Sequence, residues 1–291
     1  MRNDIKNLVL FPLNIMYSIS PRIALQVLFR LKTGYRLNLK SPSTYSEKIQ
    51  WIKLNYKNPL LPKLVDKYTV RGFVSQKAPE LLIRLLWEGY EPESIPWDEL
   101  PNRFVIKVTH GSGYNIICKN KTKLDRAKCC AKIRRWLKTK YLKCYGEWFY
   151  GVENPRIIIE EFLDTGNECE PEDYKIYCFN GNPKYISVYT NRFSGIKESI
   201  YDLEWNHLEG VSLGDPCGDP LPKPAKLEEL IKYAQVLSKD FPHVRVDLYV
   251  VNDKVYFGEM TFTSGAGFDK ITPYQFDKEM GKHFVLPKEW I

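Results

Sequence analysis

Two extended runs near the end of the sequence carry residues that could bind a metal ion and phosphate. The runs are HVRVDLYV and KVYFGEMTF, and a short polar turn joins them. Because side chains alternate along a strand, Arg245 and Asp247 share one face of the first run. Glu259 and Thr261 share one face of the second run. The chemistry of the pair of strands therefore depends on how they are aligned.

The length of the turn decides this alignment. A three-residue turn at residues 252–254 would place Asp247 opposite Glu259 and Arg245 opposite Thr261, with opposed Cβ atoms about 4.5–5.5 Å apart. Two carboxylates that close repel each other unless a cation lies between them or one takes a proton. Mg²⁺, a hard ion held by carboxylate and phosphate oxygens, would relieve this repulsion. A two-residue turn would send the acids to opposite faces. The alternative is a solvated hairpin face on which Arg245 pairs with an acid.

A lysine on a predicted strand precedes a glycine-containing turn. Lys107 lies in RFVIKVT, and Gly111, Ser112 and Gly113 follow. Glycines let backbone N–H groups approach phosphate oxygens closely, and the lysine would add a positive charge. The spacing matches neither GxxxxGK[ST] nor GxGxxG, so a plain hairpin turn beside a solvated lysine remains the alternative. His110 in the same turn is more typical of a loop residue than of a catalyst.

The next predicted strand is apolar and ends in two acids. Glu160, Glu161, Phe162 and Leu163 form this end. An acid there could accept hydrogen bonds from an adenine amino group or a sugar hydroxyl, and the extended backbone could mimic a base-pairing edge. Two solvated acids at a strand end are the alternative. Glu168, in the polar loop that follows, is one of several acids that could contact a ribose.

Further basic residues lie on other predicted elements. Asp66, Lys67 and Arg71 lie near the start of a predicted helix, where the two basic residues share a face. Lys175 and Arg192 lie on the middle strands, and each could meet a phosphate or a substrate carboxylate. Ordinary surface charge is the alternative for all of them. The sequence contains neither a G-x-S-x-G elbow nor HExxH, so we predict no covalent nucleophile.

The predicted elements interleave without a regular βαβ rhythm, which indicates an α+β fold. The predicted helices cover residues 4–18, 21–32, 44–56, 63–77, 123–141 and 226–240. The predicted strands cover residues 103–109, 116–118 and 156–163, with hairpins at 173–190 and 243–262. Residues 78–103, which are rich in proline, are predicted to be a long connection.

Composition narrows the class of partner. The chain has 291 residues and a net charge of +8, which favours an anionic partner. We find no nucleic-acid-binding signature and predict no such partner. Seven cysteines without a CxxC motif indicate free thiols in a reducing cytoplasm. Residues 8–29 are apolar, but Pro12 and Pro21 would break a spanning helix. We therefore expect two short helices that pack on the protein or lie on the inner face of the membrane.

Taken in order, these segments resemble an ATP-grasp ligase. The series is Lys67 with Arg71, Lys107 with its glycine turn, the acidic strand end, R-x-D at Arg245 and E-x-T at Glu259. The stretches PSTYSEKIQWIKL, VDKYTVRGFV, LPNRFVIKVTHGSG, DYKIYCFNGNPKYI and RVDLYVVNDKVYFGEMTFTSGAG are similar to the TupA-like (teichuronopeptide-synthesis) branch. Members of that branch are often labelled polysaccharide-biosynthesis proteins or glycosyltransferases. The resemblance covers about residues 40–275.

The resemblance implies an ATP-grasp fold in which two α+β subdomains hold ATP beneath a glycine-rich flap. The implied divisions are a helical extension (1–60), a linker or N-terminal subdomain (61–103), a lid subdomain (104–163) and a C-terminal subdomain (164–291). The implied ATP contacts come from the cations Arg71, Lys107 and Lys175, from Gly111, Ser112 and Gly113 of the flap, from Glu160, Glu161, Phe162 and Leu163, and from Glu168. The implied Mg²⁺ ligands are Asp247, Glu259 and Thr261, and the implied catalytic residues are Arg245, Lys107 and Arg192.

Two positions depart from the family pattern. Thr261 stands where the family has Asn, and a hydroxyl is a shorter-reaching ligand, so this metal contact could be longer, water-mediated or missing. The ribose-binding acid has no unambiguous counterpart, since Asn167 falls near the expected place and Glu168 lies beside it.

The implied activity is ATP-dependent joining of a carboxylate and an amine through an acyl phosphate. A uronic acid or amino acid would be the carboxylate, and an amino acid or amino sugar the amine, in capsular or cell-surface polysaccharide synthesis. Two other functions stay open. One is a glycosyltransferase that binds a nucleotide sugar through the same acids. The other is a membrane-surface scaffold that uses residues 1–32.

Overall fold

The computed structural model describes residues 9–166, 171–190 and 195–287. Its helices are α1 (Phe11–Ile19), α2 (Pro21–Thr33), α3 (Tyr45–Asn55), α4 (Leu61–Val65), α5 (Val70–Lys77), α6 (Arg126–Leu137), α7 (Leu227–Ser238) and α8 (Tyr274–His283). Its strands are β1 (Leu85–Gly89), β2 (Phe104–Val108), β3 (Asn115–Cys118), β4 (Ile157–Glu161), β5 (Glu172–Phe179), β6 (Asn182–Thr190), β7 (Lys197–Tyr201), β8 (His243–Val251) and β9 (Lys254–Thr261). The helices and two antiparallel sheets make an α+β fold, as predicted.

The first sheet supports the lysine strand and the acidic strand end. Its strand order is β1-β4-β2-β3, with every neighbouring pair antiparallel. Phe104 and Ile106 of β2 are fully buried and share an apolar cluster with Ile133 of α6. Because side chains alternate along the strand, Lys107 points to the other face. The buried face therefore fixes β2 and leaves Lys107 on the half-exposed side.

The second sheet carries the predicted metal-binding hairpin. Its strand order is β7-β6-β5-β8-β9, again antiparallel. Leu230, Ala234 and Leu237 of α7 are fully buried in the core beneath this sheet. The predicted hairpin at residues 173–190 is β5 and β6, which turn through Asn180 and Gly181, both at positive φ.

The turn between β8 and β9 differs from the predicted one. It has two residues, Asn252 and Asp253, with φ of 49° and 59°, and Val251 is opposite Lys254. This turn alone would separate the acids, but the register shifts between Asp247 and Leu248. The shift is a β-bulge at Gly258, which adds one residue to β9. Side chains of β9 after the bulge therefore point to the opposite face of the sheet from the one they would have without it. Asp247 is therefore opposite Glu259, and Arg245 opposite Thr261, by a route that the sequence prediction missed.

Helix α3 begins with the predicted capping box, in which the Thr44 hydroxyl accepts from the Glu47 N–H and the Glu47 carboxylate accepts from the Thr44 N–H. It docks on α8, where Asp277 Oδ1 accepts from the Ser46 N–H at 2.9 Å. Lys48 Nζ donates to the carbonyls of Gly281 and Phe284 at 2.8 and 2.7 Å. Helix α3 is thus built into the core around the second sheet.

The two N-terminal helices differ in burial. Leu25, Leu28 and Phe29 of α2 are buried in the main core, whereas α1 has no buried residue. Helix α2 therefore packs on the protein, which is one of the two predicted arrangements. Among residues 9–166, 171–190 and 195–287, no helix combines the length and the apolar character that crossing a membrane requires.

Three predicted elements were wrong. The helix predicted at 63–77 is broken, because Asp66 Oδ1 accepts from the N–H groups of Tyr68 and Thr69 at 2.9 Å each and turns the chain. The connection predicted at 78–103 contains β1, which pairs with β4 at the sheet edge. The helix predicted at 123–141 is shorter, since α6 starts at its cap Asp125 and ends at Leu137.

Candidate active site

Arg245 lies at the centre of a group that we call the hairpin cluster: Lys175, Arg245, Asp247, Glu259 and Thr261. Its Nε and Nη2 atoms donate to the two carboxylate oxygens of Asp247 at 2.7 Å each. Its Nη2 atom also donates to Glu259 Oε1 and Thr261 Oγ1 at 3.2 Å each. A protein cation therefore bridges the two acids. The pairing of Arg245 with an acid, which the sequence left open as the alternative, is thus present, on a face where Asp247 is only 1% exposed and the Glu259 side chain 37%.

Lys175 of β5 adds a second cation to Asp247. Its Nζ atom donates to Asp173 Oδ2 and to Asp247 Oδ2 at 2.7 Å each. Burial raises the pKa of Asp247, while Arg245 and Lys175 oppose this rise. Burial would also raise the pKa of Glu259, but Lys67, Arg245 and Lys175 outweigh it and lower that pKa to about 2. Glu259 is therefore ionised at neutral pH, with 37% of its side chain exposed.

Lys67 links the hairpin cluster to the glycine turn. It follows Asp66 in the break between α4 and α5. Its Nζ atom donates to the carbonyl of Gly111 at 2.9 Å and lies 3.6 Å from Glu259 Oε2. The Asp66 carboxylate stabilises the turn by accepting hydrogen bonds from backbone N–H groups.

Glu160 joins two basic residues in a group that we call the β4 cluster: Arg71, Lys107 and Glu160. Arg71 Nη1 donates to Glu160 Oε1 at 2.8 Å, and Lys107 Nζ donates to Glu160 Oε2 at 2.7 Å. Arg71 Nη2 also donates to the Ile83 carbonyl at 2.8 Å. Glu160 is 6% exposed, so the pairing of both oxygens offsets the cost of burying its charge. The predicted lysine, arginine and acid meet here in one place.

A cavity of about 550 Å³ opens beside the glycine turn. Its wall includes Gly111 and Ser112 of the turn, Lys67, and Arg245, Glu259 and Thr261 of the hairpin cluster. Gly111 and Gly113 have φ of +82° and +73°, which side chains with a Cβ rarely adopt. We call residues 111–113 the flap. The β4 cluster does not line this cavity.

The strand end after Glu160 connects the two sheets. The Glu161 N–H donates to the Arg84 carbonyl at 3.0 Å. The Arg103 guanidinium lies 4.1 Å from the centre of the Phe162 ring. Asn252 Nδ2, at the tip of the β8–β9 hairpin, donates to the Asp164 carbonyl at 2.9 Å. Phe162 and Leu163 are half-buried, and the structure brings neither into the cavity.

The chain matches the family described as TupA-like ATPgrasp over residues 47–285. It belongs to this family. A search of the curated proteins found no match. The ATP-grasp family assigned from the sequence is thus confirmed, over a range close to the one predicted.

Three solved structures similar to this ATP-grasp protein share 16% identity or less with it. A D-alanine–D-alanine ligase from Bacillus anthracis complexed with ATP is 16% identical, with a TM-score of 0.40, covering 69% of this chain and 55% of that one. The corresponding ligase from Helicobacter pylori is 12% identical, with a TM-score of 0.47, covering 84% and 70%. The ATP-grasp ligase PsnB complexed with minimal precursor, Mg and ADP is 12% identical, with a TM-score of 0.39, covering 75% and 57%. This chain therefore spans little more than half the length of the first and the third.

The family implies a magnesium ion. Glu259 and Thr261 offer hard oxygen ligands at the cavity wall, whereas both carboxylate oxygens of Asp247 are paired with Arg245 and Lys175, so Asp247 would have to exchange partners to bind a metal. Within the described part of the chain, no group of three or more His, Cys, Asp or Glu side chains could hold a metal. Two carboxylates suffice only where phosphate oxygens complete the shell, which is how Mg²⁺ is usually bound. A magnesium ion at this site would therefore need nucleotide phosphate oxygens to complete its shell.

Several site residues were missed from the sequence, and two predicted ones lie outside the described residues. Tyr141, Glu147 and Asp269 line the cavity, but no motif spacing singles them out, whereas Lys67, which also lines it, belongs to the predicted series with Arg71. Tyr141 stacks on Tyr150 with ring centres 4.4 Å apart. Glu168 and Arg192 lie outside the described ranges, as does Asn167.

Proposed function

We propose that this TupA-like ATP-grasp protein is an ATP-dependent carboxylate–amine ligase. The observation that carries the proposal is the composition of the cavity wall. Flap backbone, a lysine and an acidic, oxygen-rich hairpin face one another across about 550 Å³. These are the parts needed to hold a triphosphate: N–H groups, positive charge, and ligands for a divalent ion.

The hairpin cluster is assigned to the reacting end of ATP. Asp247 and Glu259, with Thr261 as a weaker ligand, would hold Mg²⁺. Arg245 already contacts all three side chains, so its guanidinium is held where it can steady the transferred phosphoryl group. Lys175 is fixed by two carboxylates and helps to hold Asp247 ionised. Arg192 stays a proposed phosphate or carboxylate contact.

The β4 cluster is assigned to the remainder of the nucleotide. Arg71 and Lys107 would contact phosphate oxygens, and Glu160, Glu161, Phe162 and Leu163 would hold the adenine, with Glu168 as the proposed ribose ligand. Both cations are bound to Glu160, which gives them a fixed position but also a competitor for phosphate. ATP binding would therefore require at least one of these ion pairs to exchange partners.

The proposed chemistry follows from the weakness of a carboxylate as an electrophile. Transfer of the γ-phosphoryl group gives an acyl phosphate, and an amine then displaces phosphate and forms an amide. Magnesium would neutralise charge on the phosphate oxygens. The protein contributes positioning and charge, since preorganised contacts of this kind carry much of the catalysis in phosphoryl transfer.

The proposed substrates come from the family resemblance and the charge of the chain. We propose a hexuronic acid or an amino acid as carboxylate, and an amino acid or amino sugar as amine, in polysaccharide synthesis. The net charge of +8 suits an acidic glycan. The glycosyltransferase alternative would use the acids for a sugar diphosphate but gives no role to the flap and Lys107.

A product screen tests the proposal. The protein is incubated with ATP, Mg²⁺, and panels of hexuronic acids and amino acids. We expect release of ADP and phosphate that depends on both substrates, and a product whose mass equals their sum minus one water. Consumption of a nucleotide sugar without ATP hydrolysis would instead establish the glycosyltransferase.

A further inference from the structure

His110, immediately before the flap, is a buried histidine with a defined tautomer. Its side chain forms part of the cavity wall and is 6% exposed. Its Nε2 atom lies 2.9 Å from the carbonyl oxygen of Thr139. A carbonyl oxygen only accepts hydrogen bonds, so Nε2 carries the proton and donates. The other nitrogen, Nδ1, therefore presents a lone pair.

Nδ1 has no hydrogen-bonding partner among the described residues. Leaving a buried acceptor unpaired typically costs about 1–3 kcal/mol. Such a group at a binding cavity calls for a partner that arrives with the ligand. The flap starts at the next residue, and His110 itself lines the cavity, so a ligand bound there would lie beside the imidazole.

A lone pair selects the kind of ligand that Nδ1 can bind. Phosphate oxygens at neutral pH are acceptors themselves, so Nδ1 cannot bind the triphosphate of ATP. It can bind only a donor, such as the N–H of an ammonium group. Gly111, the residue after His110, accepts a hydrogen bond from Lys67 through its carbonyl. Lys67 Nζ in turn lies 3.6 Å from Glu259 Oε2, so His110 adjoins the proposed phosphoryl-transfer centre.

The charges around His110 keep the ring neutral. Burial lowers its pKa, the Thr139 hydrogen bond and Asp66 oppose this, and Lys67 lowers the pKa further. The Tyr114 ring lies beside the imidazole, with its centre 5.7 Å from the centre of the His110 ring. The imidazole is thus in its proton-accepting form at neutral pH.

We propose that His110 is the general base that deprotonates the acceptor amine. This inference rests on the proposed ligase function. Nδ1 takes one proton from R–NH₃⁺, which leaves R–NH₂ and an imidazolium. The amine nitrogen attacks the acyl phosphate carbonyl, the C–O bond to phosphate breaks, and a second proton leaves the nitrogen on the departing phosphate. The imidazolium returns its proton to solvent, so the products are amide, HPO₄²⁻ and H⁺.

Two substitutions separate the base from its surroundings. In His110→Gln the amide nitrogen can reach the Thr139 carbonyl in place of Nε2, but the basic lone pair is gone. In His110→Asn the side-chain oxygen keeps an acceptor near Nδ1 without its basicity. His207→Asn is the matched control, because His207 is half-buried and does not line the cavity. ATP binding and the circular dichroism spectrum report whether each variant is folded.

The test compares two nucleophiles for the same acyl phosphate. Hydroxylamine is neutral near pH 7 and traps the acyl phosphate as a hydroxamate without a base, whereas amino acids react only after deprotonation. With ATP and the hexuronic acid panel, we expect both His110 variants to form hydroxamate at close to the wild-type rate. Amide formation should fall about 10²-fold or more, the usual loss when a general base is removed. It should recover as rising pH increases the free amine.

Each other result counts against a specific claim. If amide and hydroxamate formation fall together, or if neither falls, His110 is not the base. A wild-type protein that makes no hydroxamate from any carboxylate in the panel would overturn the ligase function, and the role of His110 with it.

Discussion

Single side chains in the site are held by opposite charges before any nucleotide is present. Every carboxylate of the hairpin and β4 clusters contacts at least one basic residue, and Arg245 alone contacts three members of its cluster. Removing one member of such a network costs more stability than removing one member of an isolated surface pair, because the remaining charges are left buried without a partner. The functional consequences are therefore expected at individual residues.

Glu259→Gln and Lys107→Ala are each expected to abolish ATP-dependent turnover without unfolding the protein. Each removes one preorganised charge, a change that typically costs about 10²–10³ in rate. The measurement is ADP release, with near-UV circular dichroism as the check on folding. Lys128→Ala, on the exposed side of α6, is the control and should keep wild-type activity. Near-normal turnover in either site variant would refute the assignment of the site.

The sequence singles out a candidate site residue where that residue belongs to an ordered series of motifs. Lys107, Glu160, Arg245, Asp247 and Glu259 were singled out in this way, and the structure gathers them in two clusters. Tyr141, Glu147 and Asp269 line the cavity because the fold brings distant segments together, and no local spacing encodes such contacts. The flap, Glu160 and Asp247 are thus the kind of residue that sequence motifs can predict.

Among the elements, the β8–β9 hairpin shows how a correct register came from a wrong turn. The sequence predicted three turn residues, and the chain uses two plus a bulge at Gly258. Glycine inside a strand is compatible with several structures, so its role as a bulge is set by its neighbours. An added Cβ at Gly258 would lie 3.0 Å from the Asp247 carbonyl and 3.1 Å from the Tyr249 ring.

Gly258→Val should therefore impair activity more than stability. The branched side chain crowds the bulge and shifts the alignment of Glu259 with Asp247, so the Mg²⁺–ATP affinity should fall at least tenfold, a change of about 1.4 kcal/mol. Isothermal titration calorimetry measures this directly. As a control, Gly72→Ala adds a Cβ with no atom within 4 Å and favours helix α5, so nucleotide affinity should be unchanged. Unaltered affinity in Gly258→Val would mean that the bulge does not set the site.

The docking of α3 on α8 predicts a pH-dependent stability. Burial raises the pKa of Asp277 to about 6, against the opposing hydrogen bond from Ser46. The folded state then binds a proton more tightly than the unfolded chain, so this stabilising contribution is present below about pH 4 and is lost as pH rises through 6. Asp277→Asn keeps an oxygen for the Ser46 N–H and removes the buried charge. It should be more stable than wild type by about 3 kcal/mol at pH 7.

Urea unfolding of wild type and Asp277→Asn across this pH range makes the comparison. The difference in unfolding free energy should shrink to near zero at low pH. Asp219→Asn, at a side chain that is 88% exposed, should show no such gap at any pH. A constant gap for Asp277→Asn would show that its carboxyl is not the titrating group.

For the whole molecule, the first helix presents an apolar face to solvent. Phe11, Ile15 and Ile19 lie one turn apart along α1 and are 59%, 49% and 81% exposed. With a net charge of +8, this face suits the surface of an anionic bilayer. Removing residues 1–32 would also delete Leu25, Leu28 and Phe29 from the core, so point substitutions give the cleaner test.

We predict that the full chain floats with vesicles of anionic phospholipid and that Ile15→Glu with Ile19→Glu abolishes this. Two carboxylates on the apolar face oppose both insertion and attraction to the bilayer, while the site is untouched. Val152→Glu, at another apolar residue that is 58% exposed, is the control and should still float. If the double variant floats as well as wild type, α1 is not a membrane contact.

The hydrogen bonds between α3 and α8 also bear on the order in which the elements can pack during synthesis. Lys48 reaches carbonyls at Gly281 and Phe284, more than 200 positions later in the chain. The strands of the first sheet lie between residues 85 and 161, so this sheet can assemble on the ribosome, whereas α3 waits for partners that are translated much later. We expect a nascent chain stalled before α8 to hold its first sheet but to lack the contacts between α3 and α8.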